Sequence, residues 1–176
     1  MTEQRALIHF VCTGNAARSV MAAALLRDRL DDDAPFDVTS SGILVIPGQP
    51  MSGRTRKALA RHGLKDPFHR SHQIGPADVT RSTLLLVMED LHVRWIEREI
   101  PAGRPITGML KRVVKELPEL GAGPLPERIA KLGLAGRDIE PWEEVVDPAS
   151  GEQPDFDRCI DELADLVDAL VPAFVL

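Results

Sequence analysis

The chain begins with a short apolar run, Ala6 to Cys12, that breaks at a turn containing Gly14 and Asn15 and gives way to an Ala- and Leu-rich stretch from Ser19 to Leu30. A brief apolar run bounded by turn residues predicts a strand, and the composition after the turn predicts a helix. Phe36 to Ser40 alternates apolar and polar and leads through Gly42 into a loop with Pro47, Gly48 and Pro50, so a second strand is expected there. Ser52 is placed to cap a helix that runs to His62 and stops at Gly63. The most apolar run, Thr83 to Met88, has Leu84, Leu85, Leu86 and Val87 in succession, the pattern of a central strand covered on both faces. Helices are predicted from Leu91 to Arg98 and from Thr107 to Leu120. Residues 121–141 mix Gly and Pro around a short helical stretch, Glu127 to Leu132, and read as a surface insertion. A short strand, Glu144 to Val146, precedes Asp147-Pro148, and a closing helix runs from Asp155 to Leu170.

Strands alternating with helices at this spacing predict an α/β fold: a parallel four-stranded sheet with helices on both faces, of the flavodoxin-like or Rossmann-like kind. One domain is expected over residues 1–176, since a chain of 176 residues that is 44% hydrophobic buries one sizeable core and is short for two. In such sheets ligands bind beyond the carboxyl ends of the strands. Cys12 and Asp147 each follow a predicted strand and are expected to meet at that edge.

Charge and cysteine usage narrow the function classes. A net charge of −6 gives no general attraction to nucleic acid, whose binding depends on Lys and Arg releasing counterions. The early charges of MTEQRALIHFVC are wrong for a signal peptide, and no stretch approaches the roughly 20 apolar residues of a membrane span, so a soluble cytoplasmic protein is expected. Two cysteines exclude a disulfide framework and a Cys-rich metal site. Cys159 lies on a helical stripe with Phe156, Ile160, Leu163, Leu166, Val167 and Leu170 and reads as core. His9, His62, His72 and His92 lack metal-ligand spacing and receive no role.

Cys12 is different because of its surroundings. In VCTGNAARS, five residues separate Cys12 from Arg18, so the amides of Thr13, Gly14, Asn15, Ala16 and Ala17 are able to ring one tetrahedral anion. Gly14 and Asn15 tolerate the left-handed backbone such a ring requires. The following helix adds its unpaired N–H groups and positive dipole end, and the planar fork of Arg18 suits two phosphate oxygens. The same field favours a thiolate at Cys12, to which the Ser19 hydroxyl is able to donate. Cys-x5-Arg alone is a weak signal; a strand before it, a helix after it and Gly-Asn between make it specific.

These residues resemble the low-molecular-weight protein tyrosine phosphatase family, whose loop reads approximately VCxGNxCRSPMAE against VCTGNAARSVMAA here. Ser40 with Gly42 is similar to that family's Ser-Ala-Gly, HRSHQI at His69 to Ile74 to its His-x-x-Arg-Gln segment, LLLVM to its central strand, and Asp147-Pro148 to its late Asp-Pro. The resemblance implies a cysteine-dependent phosphatase hydrolysing a phosphomonoester, protein phosphotyrosine by family default, with no metal or other cofactor. Cys12 would form a cysteinyl-phosphate, Arg18 and the loop amides would stabilise the transferring group, and Asp147 would protonate the leaving oxygen and then activate water. Asn15, Ser19, Ser40 and His69 would support the loop.

Departures from the family pattern fall around this site. Ala17 stands where the family has a second loop cysteine, so no adjacent thiol can trap oxidised Cys12 as a disulfide. Val20 replaces a proline, Ala149 replaces the aromatic after Asp-Pro, and the chain has no tyrosine. The expected pocket walls, Ala16, Leu44, Ile46 and Ala149, are small or aliphatic, with Trp142 expected to pack locally; phosphoarginine or a small phosphoester would then fit alongside phosphotyrosine. Two competing functions remain open on sequence: arsenate reduction with a small-molecule thiol, and a non-catalytic phosphate-binding module.

Overall fold

The structure, a computed structural model, describes residues 5–174; the expectation about the opening residues falls partly outside them. Four strands, β1 (Ala6–Cys12), β2 (Phe36–Gly42), β3 (Leu84–Val87) and β4 (Thr107–Met109), form one sheet in the order β2-β1-β3-β4. Every pairing is parallel, as the alternation of strands and helices predicts. The helices are α1 (Arg18–Arg29), α2 (Gly53–Arg61), α3 (Pro76–Arg81), α4 (Asp90–Glu99), α5 (Leu110–Glu116), α6 (Leu125–Leu132) and α7 (Gln153–Leu170).

The sheet sorts side chains by parity. Ile8, Phe10, Cys12, Leu84 and Leu86 face one way, into the larger core with Met21, Leu25, Ile160, Leu163 and Val167 of α1 and α7. Val11, Leu85, Val87 and Met109 face the other way, against Val93 and Ile96 of α4. Leu84 to Val87 are all fully buried, which explains why β3 shows no alternation. The α1 stretch Val20–Leu26 is buried on all sides because it lies between the sheet and α7. Ser52 caps α2 by accepting the Thr55 N–H at 3.1 Å, and Gly63 ends it in a left-handed turn at φ 72°. No helix among the described residues is long and apolar enough to cross a membrane.

The fourth strand is not where the pattern places it. Glu144 to Val146 pairs with no strand, although the Val145 N–H donates to Met88 O at 2.9 Å just beyond β3. The edge strand is instead Thr107–Met109, where a helix is expected to begin; that helix starts three residues later, at Leu110. Gly108 explains the arrangement, since a Cβ there would lie 2.5 Å from a Val113 methyl and 3.2 Å from Leu134. The strand and the helix that follows it therefore fold back at close quarters. The segment read as a surface insertion is also more deeply used than expected. Leu125, Ile129, Leu132 and Leu134 are buried in the larger core, while Pro126, Glu127, Ala130 and Lys131 stay exposed. The short helix α3 has too few residues to show periodicity and is not predicted at all.

Candidate active site

Cys12 is the last residue of the interior strand β1 and Arg18 the first of α1, so the residues between them form a loop at the carboxyl edge of the sheet. The loop's carbonyls are held outward. Cys12 O accepts from Ile43 N at 3.0 Å, Thr13 O from Leu44 N at 2.9 Å and Ala17 O from Met21 N at 2.8 Å. Ala16 O accepts the Thr55 hydroxyl at 2.7 Å, and Asn15 O accepts both His69 Nε2 at 2.9 Å and Ser71 Oγ at 3.0 Å. Because each peptide is planar, turning its carbonyl out turns the next amide in. The amides of Thr13, Gly14, Ala16, Ala17 and Arg18 are thereby turned inward, the arrangement an anion requires.

Asn15 sits at the centre of this scaffold, wholly buried with φ 51°. Its Nδ2 donates to Ser19 Oγ at 3.0 Å and Ser40 Oγ at 2.9 Å, and its Oδ1 accepts His72 N at 2.9 Å. Of the two residues expected to be left-handed, only Asn15 is; among the described residues it is the one non-glycine with positive φ. Gly42 is the glycine the loop depends on. A Cβ there would lie 2.5 Å from Thr13 O and 2.8 Å from Asn15 N, so the end of β2 approaches the loop closely only without a side chain.

Ser19 Oγ accepts from Asn15, which leaves the hydroxyl proton for Cys12 Sγ at 2.9 Å. Arg18 is 1% exposed, and NH1 donates to Val145 O at 2.9 Å while pairing with Glu89 Oε2 at 3.0 Å. Its NH2 meets Asp147 Oδ2 at 3.0 Å and Thr13 Oγ1 at 3.5 Å. Asp147 is more exposed, and its Oδ1 accepts the Ala149 N–H at 3.0 Å, closing an Asx turn. Cys12, Arg18 and Asp147, far apart in sequence, thus share one edge of the sheet, with Ser19, Ser40 and His69 braced around them.

Glu89 and His92 are site-adjacent residues that sequence reasoning misses. Both follow β3 directly, the position where an open parallel sheet gathers its ligand groups. His92 is fully buried, and its Nδ1 accepts the N–H groups of Glu89 at 3.1 Å and Met88 at 3.3 Å. The remaining proton is therefore on Nε2, which donates to Thr13 Oγ1 at 2.9 Å. His92, assigned no role on spacing, ties the start of α4 to the loop between Cys12 and Arg18. Cys159 is buried as expected, and burial pushes its thiol up to about 12, so it carries no thiolate near neutral pH. Leu44 and Ile46, expected as walls, are 77% and 73% exposed, while Trp142 stacks on Arg112 and Lys115 rather than entering the site. Among the described residues no group of three or more His, Cys, Asp or Glu side chains is arranged to hold a metal ion.

Two buried histidines give the fold a pH dependence. Burial pushes His92 down to about 3, with the Arg18 cation adding to the shift, and pushes His9, held between Ser41 and Ser82, down to about 4. Unfolded histidine titrates near 6.5, so below that pH the unfolded chain takes up protons that the folded chain refuses. Stability is fully present above about pH 6.5 and is lost as pH falls towards 4. Each unit of difference is worth about 1.4 kcal/mol, so a loss of several kcal/mol is expected by pH 4.5. Urea midpoints at pH 7.5 and 4.5 measure it, in a window mostly above the carboxylates, and equal midpoints would exclude neutral burial of both rings.

A family model described as low molecular weight phosphotyrosine protein phosphatase matches residues 7–121. A probable low molecular weight protein-tyrosine-phosphatase, EpsP, of Ralstonia nicotianae is 37% identical over 92 residues, covering 52% of this chain and 61% of that protein. A protein-arginine-phosphatase of Geobacillus stearothermophilus is 34% identical over 108 residues, covering 61% of this chain and 70% of that protein. The solved YwlE arginine phosphatase of Geobacillus stearothermophilus superposes with a TM-score of 0.75 at 28% identity, covering 95% of this chain and 91% of that one. The chain thus spans about 61% of the length of the first of these relatives. The family match ends before Asp147, whose place at the site is given by its pairing with Arg18 rather than by that match.

Proposed function

Because this chain belongs to the low molecular weight phosphotyrosine protein phosphatase family, we propose that it hydrolyses phosphorylated protein side chains through a cysteinyl-phosphate intermediate. The observation that carries this is the contact of Arg18 with the Cys12 loop on one side and with Asp147 on the other. In the proposed reaction the Cys12 thiolate, steadied by the Ser19 hydroxyl, attacks phosphorus in line with the leaving group. The inward loop amides and the Arg18 fork hold the three equatorial oxygens, where charge spreads in the transition state. Asp147 gives its proton to the leaving atom, then takes one from the water that cleaves the S–P bond and frees phosphate. No step calls for a metal ion. A reducing compartment such as the cytoplasm suits a nucleophile that must stay unoxidised, since Ala17 supplies no trapping thiol.

The rim bears on the substrate class. A phenyl ring gains from aromatic walls, whereas Leu44, Ile46 and Val146 offer exposed aliphatic surface and Ala16 and Ala149 add little bulk. That surface favours a substrate without an aromatic ring, and phosphoarginine in protein is the second reading beside phosphotyrosine. The test is turnover of p-nitrophenyl phosphate in excess chelator, followed by kcat/KM for matched phosphotyrosine and phosphoarginine peptides. Chelator-insensitive hydrolysis with an acid-quenched phosphoenzyme is expected, with the phosphoarginine peptide at least equal to the phosphotyrosine one. Tight phosphate binding with no turnover would favour the binding module. Thiol-dependent consumption of arsenate with aryl phosphate untouched would favour arsenate reduction.

A further inference from the structure

Asp147 projects from a segment with little secondary structure of its own, so something must hold it at the mouth of the loop. Two anchors precede it. The nearer is Val145, fully buried, whose N–H donates to Met88 O at 2.9 Å and whose carbonyl accepts Arg18 NH1 at 2.9 Å. The farther is Glu143, fully buried, whose carboxylate is gripped at both oxygens by the Nε and NH2 of Arg112. Glu143 Oε1 also accepts the Glu140 N–H at 2.8 Å, closing the turn that ends the 121–143 segment. Arg112 stands on α5, whose Leu110 and Val113 are fully buried. Its other contacts, NH1 to Glu116 at 3.1 Å, NH2 to Asp138 O at 3.3 Å and the Trp142 ring 5.6 Å away, restrict its own motion. The pair therefore ties the chain entering the acid's segment to α5, the helix that follows the edge strand β4 and is anchored in the core by Leu110 and Val113.

We infer that the Arg112–Glu143 pair is a positioning device for Asp147, fixing the start of the segment that carries the proposed general acid. It rests on the phosphatase reading of the site. Glu143 makes its hydrogen bonds with Arg112 and Glu140, not with the Cys12 loop or Arg18, and is a positioning residue only. A simple purpose in stability would be a poor use of the arrangement, because a buried ion pair is often no more stabilising than apolar residues of the same volume. Burial alone would raise the Glu143 carboxyl, but the Arg112 pair and the Glu140 amide outweigh it and hold it below the ordinary range, so the grip persists at neutral pH. With the pair intact, only Glu144 and Val146 separate the two anchors from each other and from Asp147, which limits how far the carboxyl can wander.

A misplaced acid has a signature that simple destabilisation lacks. Transfer to Cys12, read by kcat/KM, depends on protonation only when the leaving group is poor. Glu143→Gln and the apolar pair Arg112→Met with Glu143→Leu, which keeps packing if the single variant unfolds, are compared with native protein on 2,4-dinitrophenyl and phenyl phosphate. Removing a general acid costs about 10²- to 10⁴-fold, so partial misplacement is expected to cost the phenyl ester roughly tenfold or more. The dinitrophenyl ester should change less than about threefold in the same variants. Asp147→Asn sets the upper limit of the same pattern. Equal losses on both esters in a folded variant, or no loss on either, would overturn the positioning role while native turnover leaves the phosphatase reading intact. Failure of native protein to hydrolyse either ester would overturn both.

Discussion

Cys12→Ser is expected to lower kcat/KM for p-nitrophenyl phosphate by on the order of 10⁵-fold, the scale seen when an enzyme loses its nucleophile. A serine hydroxyl is a far weaker nucleophile near neutral pH than a thiolate, and the side chain hydrogen-bonded to position 12 is the Ser19 hydroxyl rather than a base. Its neighbour Ser19 accepts from Asn15 and offers its proton to position 12, which stabilises a thiolate but does not activate an alcohol. Binding should survive the change, because the anion's partners are backbone amides and Arg18 rather than sulfur. Titration with inorganic phosphate should therefore give native-like or tighter affinity in the variant, with turnover gone. Loss of both together would mean that the loop had collapsed, and retention of turnover within tenfold would sink the cysteinyl-phosphate mechanism.

Which parts of this site can be read from sequence depends on how local their causes are. The strand, loop and helix from Ala6 to Arg29 are legible because every cue lies within a few residues: an apolar run, a Gly-Asn turn, then Ala- and Leu-rich helix. Ser52 and Gly63 bound α2 for the same reason. The edge strand Thr107–Met109 is illegible because three residues carry no period, and its strand character comes from pairing with β3 and from the space Gly108 leaves for Val113. Glu144 to Val146 has the opposite history. Its β-branched pair looks like a strand, yet its backbone bonds go singly to Met88 and to the Arg18 side chain. Glu89 and His92 look like surface polar residues on a helix, and only the arrival of Arg18 and Thr13 from another part of the chain gives them work. Asp147 is legible through the resemblance of its Asp-Pro, whereas the grip on Glu143 that precedes it belongs to three-dimensional contact with α5.

Arg18→Lys is expected to reduce kcat/KM by about 10³-fold while retaining one positive charge, because a lysine is a point charge without the planar fork that spans two oxygens. The loss should fall mainly on kcat. In the transition state negative charge spreads over the equatorial oxygens, and the second arm of the fork counts for more there than in the ground state. The substitution also tests what else Arg18 holds. Its guanidinium joins Glu89, Asp147, the Val145 carbonyl and, more loosely, Thr13, and a single ammonium cannot reach all of them. Leaving a buried pair without its partner costs about 3–5 kcal/mol, and the partial exposure of Glu89 and Asp147 reduces that figure here. A lower urea midpoint is therefore expected beside the lower rate. The two effects separate in the leaving-group comparison. If Arg18 acts chiefly on the phosphoryl oxygens, Arg18→Lys loses rate equally on dinitrophenyl and phenyl phosphate. If its larger service is to hold Val145 and Asp147 in place, the phenyl ester loses more, as it would in Asp147→Asn. Equal loss is the expected result, since Val145 keeps its bond to Met88 and Glu143 keeps its grip on Arg112 when the guanidinium is gone.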